Sequence, residues 1–266
     1  MRTSLLSAAC LALLQAGALA LPAASTATTA SVAAASSTSL PAVYNLSAPA
    51  VPDFPIHSSC NVTLRRQIER ALGEMVDLAA HARDHILRWG VDSPFVQKYF
   101  GVNGTSTEVG TAGPLGWYSR VAAGDRRGMV FRCDDPDKNC ATQDGWAGHW
   151  RGANATQETV LCPLSFAAGR RLHLESVCGL GHTVRSSPLN TFWAVDLLHR
   201  VLHIPRISEG VVDHFADGYE EVLELAKTDP EKAARDSEAL QLFALEVYAF
   251  EVAAPGVGCS GEEEEE

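Results

Sequence analysis

Six cysteines behind an N-terminal leader limit this chain more than any other feature, because each way of pairing them permits a different fold. Met1 to Ala20 carries Arg2, an apolar run from Leu5 through Leu14, and Ala18-Leu19-Ala20. That pattern reads as a secretory signal peptide, residues 1–20, with an A-x-A cleavage site. Cys10 leaves with it. Cys60, Cys133, Cys140, Cys162, Cys178 and Cys259 remain, and an even number in a secreted chain predicts disulfides. Proximity in sequence favours Cys133–Cys140 and Cys162–Cys178, leaving Cys60–Cys259 to tie the domain ends together. Zinc ligation by cysteine is disfavoured, since no C-x-x-C pair is present.

The rest of the chain divides by composition. Residues 21–53 are Ala, Ser, Thr and Pro with few large apolar side chains, so they cannot bury a core; disorder with O-glycosylation is expected. N-x-[ST] sequons at Asn45, Asn61, Asn103 and Asn154 are expected at the surface. One domain follows, residues 54–260, and an acidic tail, residues 261–266, expected to be solvated. The formal net charge of −11 argues against a nucleic-acid partner. No apolar run after the leader approaches a membrane span.

Within the domain, Leu64, Ile68, Leu72, Met75, Ala79, Ala82 and Ile86 recur at helical spacing. They predict a helix over 63–89 that Gly90 stops. Short strands are expected over 128–133 and 158–162, with His149 in a Gly-rich loop between Trp146 and Trp150. Further helices are expected over 163–178, 212–227 and 230–250. The fold class is α+β: helix-dominated, with a small sheet and three disulfides.

One of these helices carries the chemistry. Thr191 to Pro205 reads as a single helix, with Ser186 or Ser187 as its cap and Pro205 as its end. His199 and His203 lie four residues apart and so project from one face, a spacing that lets two imidazoles hold one zinc ion. In the His-Glu-x-x-His motif of metallopeptidases a glutamate follows the first histidine; here Arg200 does. The third ligand is expected in Asp213-His214-Phe215-Ala216-Asp217. His214 is the first choice, with Asp213 and Asp217 as carboxylate alternatives or as partners to an imidazole N–H. His81 and His85 share the same spacing, on a face that reads as solvated. His57, His149, His173 and His182 read as isolated.

Several separated stretches together resemble one family. They are Phe54-Pro-Ile-His-Ser-Ser-Cys60-Asn61, His81-Ala-Arg-Asp-His85-Ile-Leu-Arg-Trp89, Gly145-Trp-Ala-Gly-His-Trp-Arg-Gly152, Asn190-Thr-Phe-Trp193, His199-Arg-x-x-His203 and Asp213-His-Phe-Ala-Asp-Gly-Tyr219. Between about Phe54 and Cys259 the chain looks like the fungal HRxxH family of pH-regulated antigens, zincophores and Aspergillus-type allergens, distantly similar to deuterolysin (aspzincin) metallopeptidases. The resemblance implies a zincin-like fold with zinc as cofactor, held by His199 and His203 and by Asp213 or His214. It also implies a secreted, extracellular or cell-wall protein, whose partners would be a cell-surface zinc transporter or host complement regulators. The His/Cys-rich tail of some zincophores is replaced here by Glu262 to Glu266.

A zinc-free structural cell-wall antigen is the least favoured of three function classes; the two leading ones are a secreted zinc-binding protein or surface antigen, and an active zinc metalloendopeptidase. Arg200 separates them. In HExxH enzymes the glutamate relays a proton, whereas a guanidinium stays protonated and has no acceptor. Asp217, Glu220 or Glu221 would have to substitute for it. Binding is therefore the favoured reading, with no catalytic residue assigned.

Overall fold

The structure, a computed structural model, describes residues 54–102, 110–167 and 171–261. The leader, the 21–53 segment, Asn45, Asn103 and Glu262 to Glu266 lie outside the described residues.

Helix α1 (Val62–Trp89) is the scaffold. Asn61 caps it, its side-chain oxygen accepting from the Leu64 N–H at 3.0 Å. Ile68, Leu72, Met75, Ala79, Ala82 and Ile86 bury one face, and Gly90, at φ 50°, stops the helix as expected. α1 packs against α3 (Ala112–Ala123), α5 (Trp193–Leu202) and α9 (Ser237–Tyr248). Between α9 and α2 (Pro94–Phe100), the Phe243 ring meets Tyr99, Phe100 and Tyr118. Burial of these rings and of the aliphatic faces of α1 and α5 drives the assembly, at roughly 25 cal/mol per Å² of apolar surface.

The sheet has three strands in the order β1-β3-β2, with β1 (Val130–Arg132) parallel to β3 (Glu158–Leu161) and β2 (Gly148–Trp150) antiparallel to it. The remaining helices are short: α4 (Asn139–Thr142), α6 (Pro205–Ser208), α7 (Tyr219–Thr228) and α8 (Pro230–Ala233). The helix-rich fold with a small sheet and three disulfides agrees with the sequence reading. Among the described residues no helix is long and apolar enough to cross a membrane.

The disulfide pairing differs from expectation. The bonds are Cys60–Cys133, Cys140–Cys162 and Cys178–Cys259, not Cys133–Cys140, Cys162–Cys178 and Cys60–Cys259. Backbone pairing overrides nearness in sequence. Phe131 donates to Pro55 O, and His57 donates back to Phe131 O, so the entry segment lies along β1 and brings Cys60 to Cys133. β2 returns on β3, where the Cys162 N–H meets Ala147 O at 2.9 Å. The Val184 and Arg185 N–H groups donate to the carbonyls of Cys259 and Ser260, placing Cys259 beside Cys178.

Several boundaries also differ. Residues 163–178 form two 3₁₀ turns, Pro163–Phe166 and Leu174–Ser176, instead of a helix. His149 lies on β2 and not in a loop. The helix expected over 212–227 starts at Tyr219, because Asp213 pairs in a bridge with Asp236. The helix expected over 230–250 is broken at Asp236 and ends in a π-helical turn, Ala249–Ala253. α5 stops at Leu202, and Pro205 opens α6 from its first position.

Candidate metal centre

α5 is buried on most of its circumference. Val195, Leu198, Val201 and Leu202 face the core, and the histidines face a cleft of about 1090 Å³. His199 lies in the last turn of α5 and His203 is its C-cap. Their rings meet edge to face with centroids 4.7 Å apart. The His214 ring stands 5.0 Å from that of His199 and 4.8 Å from that of His203. One ligand nitrogen from each of the three lies within 4.8 Å of the other two.

The first and third of these histidines are held from behind. Gln241 on α9 donates from Nε2 to Val195 O at 3.0 Å, which turns its Oε1 toward His199 Nδ1, also at 3.0 Å. The Nδ1–H of His199 therefore donates, and Nε2 keeps its lone pair for the cleft. His214 Nδ1 contacts Ser237 Oγ at 3.2 Å. The loop carrying His214 is fixed by Asp236, whose carboxylate accepts from the N–H groups of Phe215, Ala216 and Ala239. That one side chain caps α9 and shapes the loop together. His203 Nε2 is buried without a hydrogen-bond partner.

Burial removes the imidazoles from water and disfavours their charged forms. His203 is lowered to about 4, chiefly by burial and then by the neighbouring His214. His199 is lowered well below its ordinary value by burial, with His203 and His214 adding to it. Both are neutral at pH 7, the state a metal ligand requires.

Asp213 and Asp217 line the same cleft, outside the three-histidine group. Asp213 Oδ1 accepts from the His214 N–H at 2.9 Å, and the Asp217 N–H donates to Glu221 Oε2 at 3.1 Å. The cleft also contains Glu238, whose Oε2 accepts from the Gly218 N–H; burial raises its carboxyl.

Arg200 lies beneath the histidines. Its Nε and Nη2 donate to the two oxygens of Asp196 at 2.9 and 3.2 Å, and Arg171 Nη2 reaches Asp196 Oδ1 at 2.9 Å. One carboxylate thus joins two buried guanidiniums. A Cβ at Gly148 would lie 2.4 Å from Arg200 Nη1, so β2 can pass over the guanidinium only with glycine at that point.

The other sequence candidates lie apart. His81 and His85 are not a solvated pair: His85 is buried, its Nδ1 is 2.8 Å from Glu251 Oε1, and its Nε2 is 2.7 Å from Ser93 Oγ. His81 Nδ1 contacts the other oxygen of Glu251 at 3.3 Å. The π-helical turn carries Glu251 back onto α1, a contact that α1's own sequence does not reveal. His57, His173 and His182 contact Ser59, Glu74 and Ser187. Asn61 and Asn154 are exposed. Gln241, Ser237, Asp236, Asp196, Arg171 and Glu238 match no motif. One signal was available: Gln241 is a lone polar residue inside the apolar run Leu240–Leu245.

Comparison with known proteins adds a lineage. The family profile HRXXH, described as "Putative peptidase family", matches residues 8–262. The major allergen Asp f 2 of Aspergillus fumigatus is 56% identical over 212 residues, covering 80% of this chain and 66% of that protein. The pH-regulated antigen PRA1 of Candida albicans is 47% identical over 212 residues, covering 80% and 68%. Protein ZPS1 of Saccharomyces cerevisiae is 31% identical over 211 residues, covering 78% and 80%. The chain thus spans about two thirds of the length of the two antigens. A solved zinc peptidase from Grifola frondosa shares the fold, with a TM-score of 0.50 at 17% identity over 70% of this chain and 97% of that one.

Proposed function

The chain belongs to the HRxxH family, and from that premise we propose that it is a secreted zinc-binding protein on a metallopeptidase-like scaffold, with His199, His203 and His214 as its ligands. The observation that carries this reading is the meeting of three imidazoles whose ligand nitrogens lie within 4.8 Å of one another, with His203 Nε2 buried and unpartnered. The donor set fits zinc: three imidazole nitrogens, two of them on rings oriented by Gln241 and Ser237. A zinc ion held by three protein ligands supplies a Lewis acid with one position left open.

The residue next to His199 favours binding over hydrolysis. Arg200 is fixed on Asp196 and can accept no proton. Of the carboxylates that would have to substitute, Glu220 pairs with Arg185, Glu221 accepts from the Asp217 N–H, and Asp217 lines the cleft outside the three-histidine group. Zinc scavenging or display as a surface antigen is the role proposed, in an extracellular or cell-wall setting that the antigen and allergen relatives support.

Metal analysis and calorimetry on the full chain test this reading. About one zinc per chain is expected, and His199→Ala/His203→Ala should abolish it. Unchanged binding in that double variant would remove the assignment. Chelator-sensitive peptide hydrolysis by the wild type would move the protein to the catalytic class.

A further inference from the structure

A second cluster of ligating side chains lies around His149, a residue of another wall of the cleft. Cys140 Sγ, Cys162 Sγ and one ring nitrogen of His149 lie within 4.8 Å of one another. His149 is only 7% exposed, and both its ring nitrogens are buried without a hydrogen-bond partner. Its ion-pair neighbour is Asp137, whose Oδ2 is 3.6 Å from Nε2. Asp137 is itself held by Arg151 at 2.7 Å and by Asn154 at 3.0 Å. A buried imidazole that satisfies neither nitrogen is costly, and such a group needs an explanation.

The topology accounts for the placement. His149 sits opposite Val160 in the β2–β3 pair. The same pairing returns Cys162 to α4, which carries Cys140, closing the Cys140–Cys162 bond next to the imidazole. Two sulfurs and an imidazole are a zinc donor set once the sulfurs are thiolates.

We propose that reduction of the Cys140–Cys162 disulfide converts this corner into a second zinc site, with Cys140, Cys162 and His149 as ligands. The reductant is a dithiol. It passes two electrons and two protons to the Cys140–Cys162 bond, the S–S bond breaks to give two thiols, and the dithiol closes to its own disulfide. Zinc then displaces the two thiol protons, and His149 binds through a nitrogen that has no other partner. Asp137 is placed to hold the imidazole's orientation. The site does not depend on His199, His203 and His214.

Cobalt(II) is the probe, because a thiolate ligand gives it a near-ultraviolet charge-transfer band that imidazole ligands do not. The full-length Cys140→Ser variant needs no reductant and keeps the other two disulfides. It should show a one-thiolate band from Cys162, absent from the oxidised wild type. Adding His149→Ala should weaken cobalt binding about tenfold or more. Wild type reduced by the dithiol, then freed of it, should show a stronger band that is lost in Cys140→Ser/Cys162→Ser, where the other four cysteines remain. Cys162→Ser repeats the single-thiolate test with Cys140 as donor. Absence of a thiolate band from both single variants would overturn the proposal, as would a band that His149→Ala leaves unchanged.

Discussion

Arg200 occupies the position where a metallopeptidase of the HExxH type has its base, and its surroundings show why a simple reversal would fail. Asp196 is buried between Arg200 and Arg171. Arg200→Glu would set two carboxylates together with one guanidinium, and breaking such a buried pair costs about 3–5 kcal/mol. Urea denaturation should therefore find this variant strongly destabilised, with little hydrolysis gained. Gln241→Ala should leave the fold intact and lower zinc affinity roughly 10–100-fold by calorimetry, because it frees the His199 ring. The histidines also predict a pH response of the metal-free protein. The unfolded chain takes up a proton near the ordinary imidazole value of about 6.5, whereas folded His203 does so at about 4. Between those values the unfolded state binds more protons, so stability falls as pH drops through that window. Denaturation at pH 7 and pH 5 should differ by on the order of 2 kcal/mol from this residue. The histidine pair was legible from spacing alone. Gln241 was not, because its partner lies 42 residues away in sequence.

At the scale of elements, α1 was readable because one strong periodicity runs its whole length and Asn61 and Gly90 mark its ends. α9 was obscured by that same apolar continuity. The stretch from Pro230 onward looks like one helix, but Asp236 interrupts it by capping α9 and holding the His214 loop. Asp236→Ala should thus have two effects. Loss of the cap and of two loop contacts should cost about 1–3 kcal/mol. Zinc affinity should fall as well, since His214 loses its mount; full affinity in a destabilised Asp236→Ala protein would separate the cap from the site. β2 escaped notice for a different reason: Gly145, Gly148 and Gly152 in and around it read as a loop, and only its pairing with β3 makes it a strand.

Across the whole molecule, the cross-links follow tertiary pairing that no count of intervening residues could supply. Cys178–Cys259 closes 81 residues and Cys140–Cys162 closes 22. In the chain-entropy model these contribute about 4.5 and 3.4 kcal/mol. Chemical denaturation of the paired Ser variants should preserve that order, and the bond beside His149 should be the less costly of the two to open. The long-range bond has a practical corollary. Cys259 and Ser260 run along Val184 and Arg185, which line the cleft, and Gly261 abuts Thr183. A polyhistidine tag joined directly after Gly261 would start next to a segment that runs along two cleft-lining residues, close enough to compete for the metal being measured. Handles for assays of this protein belong ahead of Phe54, on the mature side of the expected leader.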